Sequence, residues 1–176
     1  MLDVVAQAAE ARQLKNITTR QGYVESLPFA DNAFDIVISR YSAHHWHDVG
    51  AALREVNRIL KLGGKLIVMD VMSPGHPVRD IWLQTVEALR DKSHTRNYAS
   101  GEWLTLISEA NLIVDNLITD KLPLEFSSWV ARMRTPEALV DAIRIYQQSA
   151  STEVKTYFAL QNDGSFTSDI IMLEAH

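Results

Sequence analysis

Two compact apolar runs frame an amphipathic helix, and that succession constrains the fold more than any other feature of the sequence. Residues 34–39 read Phe-Asp-Ile-Val-Ile-Ser and residues 65–70 contain Leu-Ile-Val-Met. Short runs of this kind fill strands buried on both faces of a parallel sheet. Between them Val49, Ala52, Leu53, Val56, Ile59 and Leu60 recur at helical spacing behind Asp48 as a cap, and Gly63 and Gly64 are expected to end the helix. Strand, helix and strand in succession demand a right-handed parallel crossover, so the fold class is α/β.

The flanking segments extend this reading. Met1 opens directly into a helix, with Leu2, Val5, Ala6, Ala9 and Leu14 as its apolar stripe, so the strand that should feed it is expected upstream of the sequence. Ile17, Thr19 and Gln21 alternate as a short strand over 16–22, followed by a turn at 28–32. Pro77 suits the first turn of another helix with Val78, Ile81, Trp82, Val86 and Leu89 on one face, and Ser100 is expected to cap a shorter helix reaching Ala110. Residues 112–122 alternate as a strand, 125–134 and 135–149 read as two helices, and a helical flap is expected at about 123–150. For the tail, a helix to Leu160 and a strand over 167–173 are preferred to a hairpin about Asn162, Asp163 and Gly164. With no repeat, low-complexity tract or linker, residues 1–176 read as a single domain.

Composition narrows the function classes. A net charge of −5, from 17 basic and 22 acidic residues without a basic cluster, gives no footprint for nucleic acid or an anionic membrane. No run approaches the ~20 apolar residues of a membrane span. The acidic opening helix does not resemble a basic, cleavable signal, so a cytoplasmic protein with a small-molecule partner is expected. The absence of cysteine removes disulfides, thiolate zinc sites and cysteine nucleophiles.

Candidate site residues lie just beyond the strands, where open α/β sheets bind ligands. Val24 and Glu25 stand in a sharp turn that either lines the ligand edge or merely connects strands, with Leu27 and Phe29 tucked under the sheet. Ser39, Arg40, His44, His45 and Trp46 follow the strand at 34–39 and form the densest polar and aromatic cluster. Their adjacent histidines point in different directions, so no metal site is expected. His45 is the candidate proton acceptor near neutral pH. Asp70 either faces the same crevice or caps the following turn, and Arg40 either meets a ligand carboxylate or pairs Asp35 or Glu55. Trp46 and Trp129 are candidates for lining a pocket.

Glu25-Ser26-Leu27-Pro28-Phe29, then Phe34-Asp35-Ile36-Val37, His44-His45-Trp46 and Arg54-Glu55-Val56-Asn57-Arg58-Ile59-Leu60-Lys61-Leu62-Gly63-Gly64 occur in one order with tight spacing. Together they resemble class I S-adenosylmethionine-dependent methyltransferases, most nearly the type 11 group that includes ubiquinone and menaquinone biosynthesis C-methyltransferases. The resemblance implies a Rossmann-like sheet of seven strands ordered 3-2-1-4-5-7-6, of which this chain supplies the third to the seventh, shortened at the N-terminus. Strands one and two would be missing, and with them the glycine-rich cofactor loop. It further implies S-adenosylmethionine as cofactor, with Val24 and Glu25 flanking adenine, Ser39 and Arg40 beside the methionine moiety, His45 bordering methyl transfer, and His44, Trp46 and Trp129 in the substrate pocket. Tyr23 replaces a common acidic residue near the adenine, and Leu62 replaces the usual proline before the glycines.

Two functions follow as expectations. The first is methyl transfer to a small molecule, impaired or lost in the shortened form; the second is a non-catalytic binding or assembly module. An NAD-binding protein ranks last, because the chain has no G-x-G-x-x-G. An open strand at 34–39 would favour a homodimer formed across that edge, or through exchange of the N-terminal helix.

Overall fold

The computed structural model describes residues 2–176. Helix α1 (Leu2–Ala11) is followed by strand β1 (Phe34–Arg40), helix α2 (Val49–Ile59) and strand β2 (Leu60–Met72). Helices α3 (Pro77–Arg90) and α4 (Ser100–Glu109) lead to strand β3 (Val114–Leu124). Helices α5 (Phe126–Met133), α6 (Glu137–Gln148) and α7 (Thr152–Tyr157) precede strand β4 (Phe166–Ala175). The sheet runs β1-β2-β4-β3. β1 and β2 are parallel, whereas β4 is antiparallel to both of its neighbours. This is the expected order 4-5-7-6, reached through the predicted crossover.

Alternation along β2 divides the core. Leu66 and Val68 belong to one apolar layer, closed by Ala52, Leu53 and Val56 of α2 and by Trp103 and Ile107 of α4. Val71 belongs to the other, with Trp82 and Leu83 of α3, Trp129 of α5, Ile143 of α6 and Val154 of α7. Helices therefore cover both faces of the sheet. The tail adopts the preferred arrangement, with β4 inserted between β2 and β3 instead of closing a hairpin.

Four local expectations need correction. Residues 16–22 form no strand; their alternation has no neighbouring ladder to satisfy it. The helix ends at Ile59, and β2 begins at Leu60, ahead of the glycines. Gly63 then takes φ +74°, while a Cβ on Gly64 would lie 2.9 Å from the Lys61 carbonyl oxygen, so the pair shapes an irregularity in the strand rather than a helix stop. Ser100 is the first helical residue of α4, and Ala99 occupies the cap. Its amide donates to Glu102 at 2.8 Å. The buried face of α3 comprises Trp82, Leu83, Val86 and Glu87, leaving Val78 and Ile81 exposed.

β1 is the edge of the sheet among the described residues, and Ile36 and Ile38 are exposed along it. The segment before it is fastened to α2 by Arg58, which donates to Leu27 O at 3.0 Å, Phe29 O at 2.8 Å and Asp31 Oδ1 at 2.7 Å, and chelates Glu55. Glu55 also accepts from the Leu27 amide at 2.8 Å.

Candidate active site

Parallel pairing of β1 and β2 brings Arg40 alongside Met69, so the residues after both strands share one end of the sheet. The chain leaves β1 through Tyr41, at φ +49°, into a short 3-10 turn, Ala43–His45. Asp70 fixes that turn. Its carboxylate accepts from the amides of Ser42 at 3.1 Å, Ala43 at 2.8 Å and Val71 at 2.8 Å, and lies 2.5 Å from His44 Nδ1. Of the two alternatives for Asp70, the structure shows the local cap: the carboxylate is 1% exposed and lines neither cavity. Burial pulls the His44 imidazolium down, but the hydrogen bond and charge of Asp70 outweigh it, leaving the pKa raised above 6.5.

His44 is buried and lines a cavity of about 490 Å³ beneath α5, together with His45, Asn97, Trp129 and Arg132. Its Nε2 makes no hydrogen bond among the described residues, whereas Nδ1 is committed to Asp70. His45 lies half in solvent. Its Nδ1 meets Ser93 O at 3.1 Å and Ser93 Oγ at 3.2 Å, and its Nε2 stands 3.9 Å from Asp91. The His44 and His45 rings are 4.1 Å apart, and His94 lies 5.9 Å from His44. Burial, reinforced by the neighbouring histidines, lowers the His94 pKa to about 4, so this third ring is neutral and donates through Nε2 to Gln84.

A second cavity, of about 540 Å³, opens on the other side of the β1 end. Val24, Ser39, Arg40 and Trp46 line it with apolar residues of β1. Ser39, one of the residues lining it, has its Oγ buried without a hydrogen-bond partner. Trp46 Nε1 donates to Ser42 Oγ at 3.3 Å, and its ring belongs to this cavity, apart from His44 and Trp129. Glu25 is differently employed. Its Oε1 accepts from the amides of His47 at 2.9 Å and Asp48 at 3.3 Å, and these bonds outweigh burial to hold its pKa below the usual range.

The structure therefore brings His44, His45 and Trp129 together in one cavity, and Val24, Ser39 and Trp46 in the other, with Arg40 lining both. Arg40 pairs with neither predicted carboxylate, since Asp35 is taken by Lys61 and Glu55 by Arg58. Sequence reasoning missed Asn97, Arg132, Glu87 and Arg90. The only signal for the last two was their i,i+3 spacing on a helix, where their ion pair spans 3.2 Å. These residues provide an oriented imidazole at one cavity, beside a separate groove lined by Val24, Ser39 and Arg40.

Comparisons with known proteins bear on the family and the fold. A type 11 methyltransferase-domain family model matches residues 1–68. The chain is similar to protein YafE of Escherichia coli K12, 94% identical over 176 residues and covering 100% of this chain and 85% of that one. It is 36% identical over 160 residues to the methyltransferase YcgJ of Bacillus subtilis, covering 91% of this chain and 63% of YcgJ. The YcgJ crystal structure superposes with a TM-score of 0.94 at 34% identity, covering 99% of this chain and 77% of that one. The ubiquinone/menaquinone biosynthesis C-methyltransferase UbiE of Shewanella oneidensis is 43% identical over 65 residues, 37% of this chain and 26% of UbiE.

Proposed function

This chain belongs to the class I S-adenosylmethionine-dependent methyltransferases, and from that premise we propose that it carries the acceptor chamber and one wall of the cofactor groove for methyl transfer to a small molecule. The observation that carries the reading is His44, held 2.5 Å from Asp70 and lining a chamber next to the cofactor groove. In the groove, Ser39 Oγ and Arg40 are placed to meet the polar methionine end of the cofactor, and Val24 and Trp46 its apolar surroundings. Bound S-adenosylmethionine supplies an electrophilic methyl group.

Displacement at such a methyl depends on alignment more than on strong acids or bases. The chain contributes by seating the acceptor under Trp129 and removing its proton. Asp70 holds the Nδ1 proton of His44, leaving Nε2 as the nitrogen that accepts from a hydroxyl or acidic carbon. We therefore assign the base role to His44 in preference to His45, whose Nε2 stands 3.9 Å from the Asp91 carboxylate instead of being free. Only the neutral His44 ring accepts a proton, so turnover should climb as pH rises past its raised pKa.

We further propose weak cofactor affinity and residence in the cytoplasm. Glu25 is spent on the amides of His47 and Asp48, and among the described residues β1 is the edge strand, which gives the groove little enclosure. That same edge favours the second reading, a non-catalytic assembly module in which two copies pair along β1. Titration calorimetry with S-adenosylhomocysteine separates the two. Micromolar binding supports the enzyme; no binding, with a dimer by light scattering that the Ile38→Lys change dissolves, supports the module.

A further inference from the structure

The chamber beneath α5 is rich in hydrogen-bond donors and carries a single carboxylate. Its one carboxylate, Glu87, is buried and lies 3.2 Å from Arg90, and burial pushes its pKa up in spite of that neighbour. Asn97 is 1% exposed, and its Nδ2 has no hydrogen-bond partner. Arg132 lines the same space, with no ion pair or hydrogen bond to its guanidinium among the described residues. The remaining lining includes Leu122, Leu124, Trp129 and Met133. A chain of net charge −5 thus contains a locally cationic, donor-rich and otherwise apolar chamber.

A buried amide donor left unmade costs roughly 1–3 kcal/mol, so Asn97 marks a place where a ligand acceptor atom belongs. An arginine fork is matched best by a carboxylate, which takes two parallel N–H bonds. We propose that the methyl acceptor is an amphipathic anion, a hydrophobic hydroxy-carboxylic acid whose carboxylate is held by Arg132 and Asn97 Nδ2 while its hydroxyl reaches His44 Nε2. This rests on the methyltransferase reading of the same chamber. Arg40 is left to the boundary with the cofactor groove, and Arg132 and Asn97 carry the selectivity.

The test is titration of the whole chain with 4-hydroxycinnamate, its methyl ester and 4-hydroxyphenethylamine, each with and without S-adenosylhomocysteine. The acid should bind about ten-fold tighter than the ester or the amine. Arg132→Gln should erase that preference and Arg132→Glu should turn it toward the amine, both with an unchanged melting temperature, since Arg132 is exposed. Equal binding of acid and ester, a preference indifferent to Arg132→Gln, or binding of none of the three overturns the proposal. S-adenosylhomocysteine binding without acid preference sinks the anion alone. Acid preference without S-adenosylhomocysteine binding instead sinks the methyltransferase reading, and with it the ligand's role as acceptor.

Discussion

His44 Nδ1 lies 2.5 Å from Asp70 Oδ1, and the same carboxylate closes three backbone amides at the junction of β1 and β2. One buried group thus sets both the course of the chain and the orientation of the imidazole. Asp70→Asn would leave a buried donor among donors and should cost about 3 kcal/mol in urea unfolding. A loss well under 1 kcal/mol would show that Asp70 does not organise the turn.

The pair also sets a pH dependence with a definite sign. Because the folded-state pKa of His44 is raised above 6.5, its contribution to stability is complete below the unfolded-state value and is lost as pH climbs through the folded one. The stability advantage of the native chain over His44→Gln should therefore shrink as pH rises above 6.5. Denaturant titrations across that range check it; an advantage that grows with pH would contradict the pairing.

Gly164 occupies φ +89°, where a Cβ would meet Gln147 Oε1 at 2.8 Å and the Phe126 ring at 2.9 Å. Strain and overlap should make Gly164→Ala cost roughly 2–3 kcal/mol. Calorimetric melting should fall by about 4–12 °C. An unchanged melting temperature would mean that the β4 entry relaxes freely.

Arg58→Leu removes the clasp between α2 and the loop carrying Val24 and Glu25. Hydrogen exchange over residues 25–33 should accelerate by about ten-fold while β2 keeps its protection. Uniform acceleration through the sheet would instead indicate global destabilisation.

Much of the architecture was legible because burial imprints itself on sequence. The runs around Ile36–Val37 and Leu66–Val68, and the stripe Val49, Ala52, Leu53 and Val56, announce strand, helix and strand before any contact is known. Residues 16–22 show the limit: alternation records a preference for an extended chain, but a strand exists only when a neighbour completes its ladder. The α3 stripe failed for a related reason, since Glu87 is buried by pairing with Arg90, and hydrophobicity cannot announce a buried carboxylate. Within the site, the cluster at 39–46 was visible as a dense polar and aromatic stretch. That His44, and not His45, meets Asp70 depends on a turn formed by residues 26 positions apart. Asn97 and Arg132 carry no local pattern at all, because their proximity exists only after α5 folds over the sheet.

The place of β4 in the middle of the sheet has a consequence for biosynthesis. β2 and β3 flank a slot that only residues 166–175 fill, so the two strands wait on the ribosome without their common neighbour. Leu66, Val68 and Leu117 lie against the first apolar layer, which Ile171 and Leu173 complete, so during that interval greasy surface has no final cover. Such a chain should lean on holding chaperones until β4 emerges, and stalled translation ahead of residue 166 should yield aggregates rather than a partly working domain.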